Sequence, residues 1–239
     1  MLKRMIPVLL MAPLLVGAAE ESESGQAAWK GEGALGFTTT SGNTDSENLN
    51  ASLAVSRQEN KWKHAASLES IRNKTEGDVS ADSLVLKEKS EYQLSEKSYA
   101  FGQFRYEDDE FSGYDHQTSI AFGLGSRFVE NERHLLDLSA GLGYRSLKES
   151  DSGDETDEGI VIANLNYEYK ISESASFSET ILVESGDENT RSESKSSLKA
   201  KIDDNLATKL SYLVKHNSDV PTGIDKTDKI FTVSLVYGF

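Results

Sequence analysis

The chain has no cysteine and only three prolines in 239 residues. The lack of cysteine excludes disulfides and thiolate-bound metal sites, although it leaves the redox compartment open. Two prolines, Pro7 and Pro13, lie close to the N-terminus, and Pro221 is the third. Long helices with recognisable caps are also lacking. These absences remove the disulfide-rich and zinc-thiolate classes of protein.

Basic residues are scarce as well, because 25 Lys and Arg stand against 40 Asp and Glu, which gives a net charge of −15. Such a chain would repel the phosphates of nucleic acids, so we expect no nucleic-acid partner. The acidity suits a protein that stays soluble in salt or that gathers cations at its surface. The sequence has no cofactor motif, and we expect no cofactor.

Residues 1–19 have the pattern of a cleaved signal peptide. Lys3 and Arg4 form a charged start, residues 5–16 are apolar, and small residues at 17–19 allow cleavage after Ala19. The apolar stretch is shorter than the roughly 20 residues that a membrane-spanning helix needs. Residues 20–28 are small and polar, which predicts a flexible periplasmic tail.

From residue 29 onward, apolar and polar residues alternate, which is the pattern of β-strands. In one run, Leu136, Leu138 and Leu142 share a face, while Asp137 and Arg145 lie on the other. The runs are longer than the roughly 5–6 residues that are usual in globular proteins. Twelve runs are present, at 29–40, 48–57, 61–73, 81–94, 98–107, 116–128, 134–145, 161–171, 174–184, 191–202, 206–216 and 231–239.

The connections between these runs alternate between short and long. The long ones include the most acidic stretches, and they fall at 41–46, 73–80, 108–115, 147–158, 185–190 and 217–228. Long loops at one end and short turns at the other are typical of bacterial outer-membrane β-barrels. The sequence therefore predicts an all-β fold, a closed antiparallel transmembrane β-barrel of about 12 strands over residues 29–239. We expect it in the outer membrane of a Gram-negative cell, with both termini periplasmic.

Two other states compete with a barrel. A soluble β-sandwich also alternates, and the mean hydropathy of −0.49 is compatible with disorder. A barrel explains the low hydropathy, because half of each strand faces the lumen and the loops lie in water. Strand length, unequal loops, scarce proline and the aromatic positions favour the barrel. The aromatic residues are Trp62, Tyr92, Tyr99, Phe128 and Tyr237 near short turns, and Tyr106 and Tyr144 near long loops.

Two stretches raise questions of their own. Within 98–107, Tyr99 and Phe101 alternate out of step with Phe104 and Tyr106, and a β-bulge is one way to reconcile them. The chain ends on an apolar strand. Lipid would cover its apolar face, and pairing with the first strand would satisfy its backbone N–H and C=O groups. That end resembles the C-terminal sorting signal of outer-membrane proteins, which implies recognition by the barrel-assembly machinery through strand addition. The signal residues are Val233, Leu235, Tyr237 and Phe239.

The chain also resembles the salt-induced outer-membrane protein family, a YdiY-like family that is described as a domain of unknown function. The resemblance is carried by the segments GALGFTTTSGNTDSENLNASLAVSR, KEKSEYQLSEKSYAFGQFRYEDDEFSGYDHQTSIAFGLGSRFVEN and KIFTVSLVYGF. It covers residues 29–239 and rests on strand and turn patterns. It implies an outer-membrane barrel associated with salt or osmotic stress, and it supplies no catalytic or binding residues.

Two motifs suggest other chemistry. His216 and Ser218 have the His-x-Ser spacing of some outer-membrane lipid hydrolases, in which the imidazole could deprotonate the hydroxyl. No third orienting residue is evident, so an interfacial histidine is the simpler interpretation and we do not expect an enzyme. The acidic stretch 147–158 could bind divalent cations but lacks the ligand spacing of a calcium loop, so a solvated loop is simpler. Its candidate ligands are Asp151, Asp154, Glu155, Asp157 and Glu158.

The lumen face is where we expect the function to lie. Its charges either pair and fill the interior or line a narrow pore, and twelve strands lie between filled eight-stranded barrels and open ones of about 16–18. Inner glycines such as Gly123, Gly125, Gly141 and Gly143 leave room or let the sheet bend. The candidate lumen residues are Lys87, Lys89, Glu91, Arg127, Asp137, Arg145, Asn164, Asn166, Glu168, Lys170, Lys199, Lys201, Lys209 and Lys215.

We therefore favour a narrow passive channel for small hydrophilic solutes or ions, with selectivity set by lumen charges and a link to salt stress. One alternative is a non-conducting structural or adhesive barrel that acts through acidic extracellular loops. A more remote one is a lipid hydrolase at the rim. Expected partners are outer-membrane lipid, lipopolysaccharide, the barrel-assembly machinery, and divalent cations shared between acidic loops and lipopolysaccharide phosphates.

Overall fold

The structure is a computed structural model, and it describes residues 28–40, 46–75, 77–109, 114–150, 153–220 and 223–239. The predicted signal peptide and most of the predicted tail lie outside these residues. The described strands are β1 (Lys30–Thr40), β2 (Ser46–Glu59), β3 (Trp62–Thr75), β4 (Asp78–Gln93), β5 (Ser98–Asp109), β6 (Tyr114–Glu130), β7 (His134–Glu149), β8 (Glu155–Lys170), β9 (Ala175–Ser185), β10 (Thr190–Lys201), β11 (Leu206–Asn217) and β12 (Thr227–Gly238). In this part of the chain, no helix is long and apolar enough to cross a membrane.

The strands form a closed barrel in which each strand pairs with its neighbours in the sequence and β1 pairs with β12. All pairs are antiparallel. Closure leaves no sheet edge, so the backbone N–H and C=O groups of every strand find partners inside the wall. The predicted barrel of twelve strands is confirmed.

Alternation along the strands separates an apolar outer wall from a polar interior. On β6, Ile120, Phe122 and Leu124 face outward, whereas Ser119 and Ala121 are buried inside. This division follows from the period of two, because successive side chains of a strand point to opposite faces. Glu179 is an acidic exception to this rule, because it lies on the outer face near the middle of β9, where hydroxyls of β10 donate to its carboxylate.

The two ends of the barrel differ less than the sequence suggested. At one end the connections have two to four residues, at 60–61, 94–97, 131–133, 171–174 and 202–205. Four of these turns use one device, in which a Ser, Asn or Asp side chain accepts the backbone N–H three residues onward, as the Asn131 amide does from His134. At the opposite end the connections range from two to nine residues.

The predicted long loops at 73–80 and 147–158 were wrong in extent. β3 runs to Thr75 and β4 starts at Asp78, and β7 runs to Glu149 before β8 starts at Glu155. The strands therefore continue through polar and acidic sequence that had been assigned to loops. Backbone pairing does not require apolar side chains, so a ladder can extend beyond the apolar band of the wall.

The stretch 98–107 contains no bulge. β5 pairs in regular register with β4, and the irregularity against β6 lies at Asp108 and Asp109. The out-of-step aromatic residues simply face opposite ways, because Tyr99 and Phe101 are buried in the lumen at 1% and 4% exposure. Tyr99 was counted above among the aromatic residues near short turns that favour a membrane-facing wall, and for this residue that interpretation was wrong.

The inner glycines serve both predicted purposes. A Cβ at Gly125 would lie 2.2 Å from the ring of Tyr99, so this glycine makes room for the aromatic side chain. At Gly123 in β6, a Cβ would lie 2.2 Å from the backbone oxygen of Ala140 in β7. Because Gly123 has no side chain, the sheet can bend at this position.

The barrel closes at the last residue of the chain. The Phe239 N–H donates to the Gly31 carbonyl at 2.9 Å, and the Gly31 N–H donates to the Phe239 carbonyl at 2.8 Å. The aromatic ring of Phe239 occupies the space where a Gly31 side chain would stand. The register between β1 and β12 covers only Glu32 to Leu35, against eleven pairs between β11 and β12, so the closing seam has fewer ladder contacts.

Candidate functional site

Five charged side chains meet across the lumen and tie opposite walls together. Arg105 and Glu107 come from β5, Arg191 and Glu193 from β10, and Lys215 from β11. β5 and β10 are not neighbours in the sheet. Arg105 donates to Glu193 at 2.7 Å and to Glu107 at 2.9 Å, and Lys215 donates to Glu107 at 2.7 Å. We call this group the cross-lumen cluster.

Burial makes the cross-lumen cluster rigid. Its five side chains are between 3% and 9% exposed. Arg191 donates to both carboxylates, at 2.6 Å to Glu193 and in a direct contact to Glu107. Charges that are withdrawn from water are costly unless each is paired and hydrogen-bonded. Arg105 and Arg191 each reach both carboxylates through one terminal nitrogen, Nη2, so every charge of the cluster is paired with few residues, although Nε and Nη1 of Arg105 are buried without a hydrogen-bond partner.

A second buried group lies beneath the connection 186–189. Arg145 donates to Glu158 through Nε at 3.0 Å and also bonds the backbone carbonyl of Asn189. The Glu158 carboxylate accepts the N–H of Glu188 at 2.9 Å. The Arg145–Glu158 pair therefore fastens this connection over the barrel interior.

An aromatic group fills the lumen beside β5, β6 and β7. The Tyr99 hydroxyl donates to Asp137 at 2.6 Å, and the Lys89 ammonium lies 4.9 Å from the centre of the Tyr99 ring. Tyr99 packs with Phe101, Ala121 and Ile162 in a buried apolar cluster. This side of the interior is packed, so it contributes stability rather than a path for solutes.

The rest of the interior holds a cavity of about 670 Å³. Its walls come from strands on all sides except β6, β7 and β12, and they carry Lys, Glu, Asn, Ser and Thr side chains. Glu69 of β3 accepts from Lys195 of β10 at 2.5 Å and from Lys87 of β4 at 3.5 Å, so one carboxylate links two walls. A cavity of this size matches the range of roughly 300–1,000 Å³ that is usual for small-molecule sites.

The structure distributes the predicted lumen residues between the interior and the rim. The residues with interior contacts are Lys87, Lys89, Glu91, Arg127, Asp137, Arg145, Asn164, Asn166, Lys199, Lys209 and Lys215. Three others have the same phase of alternation as the lumen-facing residues of their strands but are exposed at the rim, near the short-turn end, namely Glu168, Lys170 and Lys201.

Sequence reasoning found Arg145 but missed several other buried charges. In β10 both faces are polar over most of the strand, and only Leu198 marks the outer face. Arg191, Glu193 and Lys195 share the inward phase of the predicted Lys199 and Lys201, and the pairing with β9 and β11 carries that phase through the strand. The inward phase of Glu69 could have been found, because Leu68 marks the outer face of β3. Arg105 and Glu107 were missed because the aromatic residues of β5 obscured its phase.

The acidic candidates for a metal site do not gather in one loop. Glu155, Asp157 and Glu158 lie in β8, where Glu158 turns inward to Arg145 and Asp157 turns outward. Asp151 lies outside the described residues. Across the ranges that the structure describes, no three His, Asp or Glu side chains form a group that could hold a metal ion.

Two His–Ser arrangements lack the geometry of a nucleophilic site. His216 Nδ1 lies 2.8 Å from Thr227 Oγ1, while the Ser218 hydroxyl donates to the amide oxygen of Asn189 at 3.2 Å, so this pair is committed to other partners. On the outer face, His64 Nδ1 lies 2.8 Å from Ser90 Oγ. The Ser90 hydroxyl donates to Glu88 at 2.6 Å, which leaves no proton for the imidazole to remove.

The family described as "Protein of unknown function, DUF481" matches residues 33–239. The chain belongs to this family. It is 26% identical over 224 residues to the uncharacterized protein YdiY of Escherichia coli strain K12, which covers 91% of this chain and 86% of YdiY. The resemblance seen in the strand and turn patterns is thereby confirmed.

Two solved structures share the fold of this family member. The outer-membrane channel of Pseudomonas putida F1 superposes with a TM-score of 0.56 at 12% identity, covering 94% of this chain and all of that one (100%). The NanC porin superposes with a TM-score of 0.51 at 14% identity, covering 88% of this chain and 98% of that one. At such identities the likeness is one of fold, that of an outer-membrane β-barrel.

Proposed function

We propose that the protein is a narrow passive channel of the outer membrane for small hydrophilic solutes or ions. The observation that carries the proposal is the cavity of about 670 Å³ inside the barrel, which is lined by charged and small polar side chains. A purely structural barrel would gain more stability from a packed interior, as on the Tyr99 side. Charged groups on the wall of a pore are also what sets its selectivity.

The cross-lumen cluster is the constriction of this channel. Arg105 and Glu193 join opposite walls at 2.7 Å, so these side chains obstruct the lumen at this level. A solute passes beside these side chains or between them when they exchange partners. Both cases limit passage to small solutes, in keeping with a barrel of twelve strands.

Single-channel conductance in a planar bilayer tests the proposal. We expect small, reproducible current steps from the refolded protein, and a changed step size for Glu193→Gln, which weakens the cluster. Glu173→Gln is the matched control, since Glu173 lies exposed in the turn 171–174. Heat-dependent gel migration verifies that each variant is folded. Equal steps from both variants and the parent would remove the cluster from the conduction path.

A non-conducting barrel is the second candidate. It is favoured by the ties that cross the interior, since Arg105 joins β5 to β10 and Arg145 holds Asn189 over the lumen. Such a barrel would act through its extracellular connections. A folded protein that stays silent in the bilayer would reject the channel and support this alternative.

The orientation in the membrane is part of the proposal. The first described strand starts, and the last one ends, at the end of the barrel with the shorter turns, which outer-membrane barrels place in the periplasm, and the terminal strand would present Tyr237 and Phe239 to the barrel-assembly machinery. Because the chain lacks cysteine, single cysteines report sidedness. We expect an impermeant maleimide to label Gly153→Cys on intact cells and to spare Asn60→Cys. A link to salt stress rests on the family resemblance, and growth of a deletion strain in high salt tests it.

A further inference from the structure

The charge of the cavity is opposite to the charge of the chain. Seven Lys or Arg side chains and four Glu side chains line it, although the whole chain carries −15. Three of these lining residues, Arg105, Lys215 and Glu193, belong to the cross-lumen cluster, where Arg105, Arg191 and Lys215 are balanced by Glu107, Glu193 and Asp109. Without the cluster, five Lys and three Glu side chains remain in the lining, so an excess of positive charge persists. The surplus positive charge lies between this cluster and the short-turn end.

Two Lys–Glu–Lys groups account for much of the surplus. In the first, Glu69 pairs with Lys87 at 3.5 Å and with Lys195 at 2.5 Å. In the second, Glu32 pairs with Lys209 at 3.5 Å and with Lys199 in a direct contact. One carboxylate shared by two ammonium groups leaves each group with one net positive charge. Glu69 lies midway along β3, whereas Glu32 lies near the short-turn start of β1, so the two groups occupy different depths.

These lysines are accessible within the lumen, unlike the cross-lumen cluster. The side chains of Lys87, Lys195, Lys199 and Lys209 are 25% to 38% exposed. An ammonium group on a flexible stem can exchange one carboxylate partner for another at small cost. An anion in the cavity can therefore take the place of Glu69 beside Lys195, while Lys87 continues to neutralise Glu69.

We propose that the lumen prefers small organic anions, with Lys87 and Lys195 as one binding group and Lys199 and Lys209 as a second. This preference rests on the proposed channel function and names the class of solute. Lys87 of β4 and Lys195 of β10 lie on facing walls and would contact an organic acid from two sides, whereas Lys199 and Lys209 are register partners on the adjacent strands β10 and β11 and would contact it from one side. The field of the low-dielectric wall concentrates anions and repels cations, so the same groups exclude competing cations.

Reversal potentials in a tenfold KCl gradient, 1 M against 0.1 M, test the preference. At 1 M salt the screening length is about 3 Å. On the concentrated side, charges on the outer connections therefore contribute little to the measured reversal potential. We expect chloride to be more permeant than potassium. Loss of one unit charge about 4 Å from the path changes an ion's energy by about 1 kcal/mol in water, or about fivefold in the permeability of that ion. Because chloride and potassium respond in opposite directions, Lys195→Gln should lower the ratio by up to about 25-fold.

Variants of opposite sign sharpen the test. Glu69→Gln should raise the ratio of chloride to potassium permeability, whereas Lys97→Gln, in the exposed turn 94–97, should leave it unchanged. Citrate added to the chamber should block chloride current in the parent and less so in Lys195→Gln. Two results would overturn the anion preference but not the channel function. One is a conducting barrel that is more permeable to potassium than to chloride. The other is a ratio of chloride to potassium permeability that is the same in Lys195→Gln and Glu69→Gln. A folded barrel without current overturns both proposals.

Discussion

Arg105 and Glu193 are 88 residues apart in the sequence, and their side chains meet at 2.7 Å across the lumen. This contact exists because the barrel brings β5 and β10 face to face without pairing them. Along the sheet, β5 and β10 are separated by the four strands β6 to β9. The contact joins these two walls directly. We therefore expect the pair to contribute to the stability of the barrel and to limit the width of its interior.

Removal of one partner should be costly. We expect Glu193→Ala to lower the free energy of unfolding by about 3–5 kcal/mol, because two buried arginines would share the remaining carboxylates. Urea unfolding in lipid vesicles measures the change. The double variant Arg105→Met with Glu193→Met should lose less than Glu193→Ala, since it leaves no unpaired buried charge. Glu173→Ala, on the surface, should stay within about 0.5 kcal/mol. A loss below about 1 kcal/mol for Glu193→Ala would show that the pair contributes little.

Two glycines of the wall should respond oppositely to alanine. At Gly125 a Cβ would meet the Tyr99 ring at 2.2 Å, whereas nothing lies within 4 Å at Gly33. We expect Gly125→Ala to cost about 1–3 kcal/mol, because the ring and its hydrogen bond to Asp137 must shift. Gly33→Ala should be neutral or stabilise by up to about 1 kcal/mol through the unfolded chain. The urea concentrations at half-unfolding of the two variants measure this difference in stability. Equal midpoints would contradict a Tyr99 ring that faces the lumen.

The same substitution at two glutamates should have opposite signs. Glu179 faces outward near the middle of β9, and Glu69 faces inward between Lys87 and Lys195. In lipid, Glu179→Leu should stabilise the barrel by about 1 kcal/mol, because a polar group leaves the outer face. Glu69→Leu should destabilise it by about 1–3 kcal/mol, because two lysines lose their shared partner. A loss of stability for Glu179→Leu would indicate that the outer carboxylate has a partner outside this chain.

The closing seam can be tested by a disulfide. Ala34 of β1 and Val236 of β12 are direct partners in the register and are buried side by side. Directly opposed strand residues have Cα atoms about 4.5–5.5 Å apart, which is within disulfide range. We expect Ala34→Cys with Val236→Cys to cross-link on oxidation of the folded protein, as read by gel migration with and without reductant. Ala34→Cys with Leu235→Cys is the control, since Leu235 faces outward and should not cross-link.

Most of the fold could be predicted from alternation, and most of the site could not. Phe122 and Leu142 reveal the outward phase of β6 and β7, so Arg127, Asp137 and Arg145 were correctly expected inside. Where both faces are polar, as around Ser192, Glu193 and Ser194, the phase has no local marker and must be carried over from Leu198 farther along the strand. The predicted loop at 147–158 failed for a related reason, because acidic side chains resemble a loop although the backbone continues in a strand.

The sequence by itself determined a β-barrel, because period-two alternation, long strands and an apolar final strand leave few other ways to bury one face and satisfy the backbone. It also determined the family. Only the tertiary structure decided which charges meet, since Arg105 and Glu193, or Glu69 and Lys195, approach through closure and curvature of the sheet rather than through any local pattern. The curvature depends on glycines whose neighbours lie on other strands, and the division of the interior into a packed side and a cavity follows from where Tyr99 turns inward.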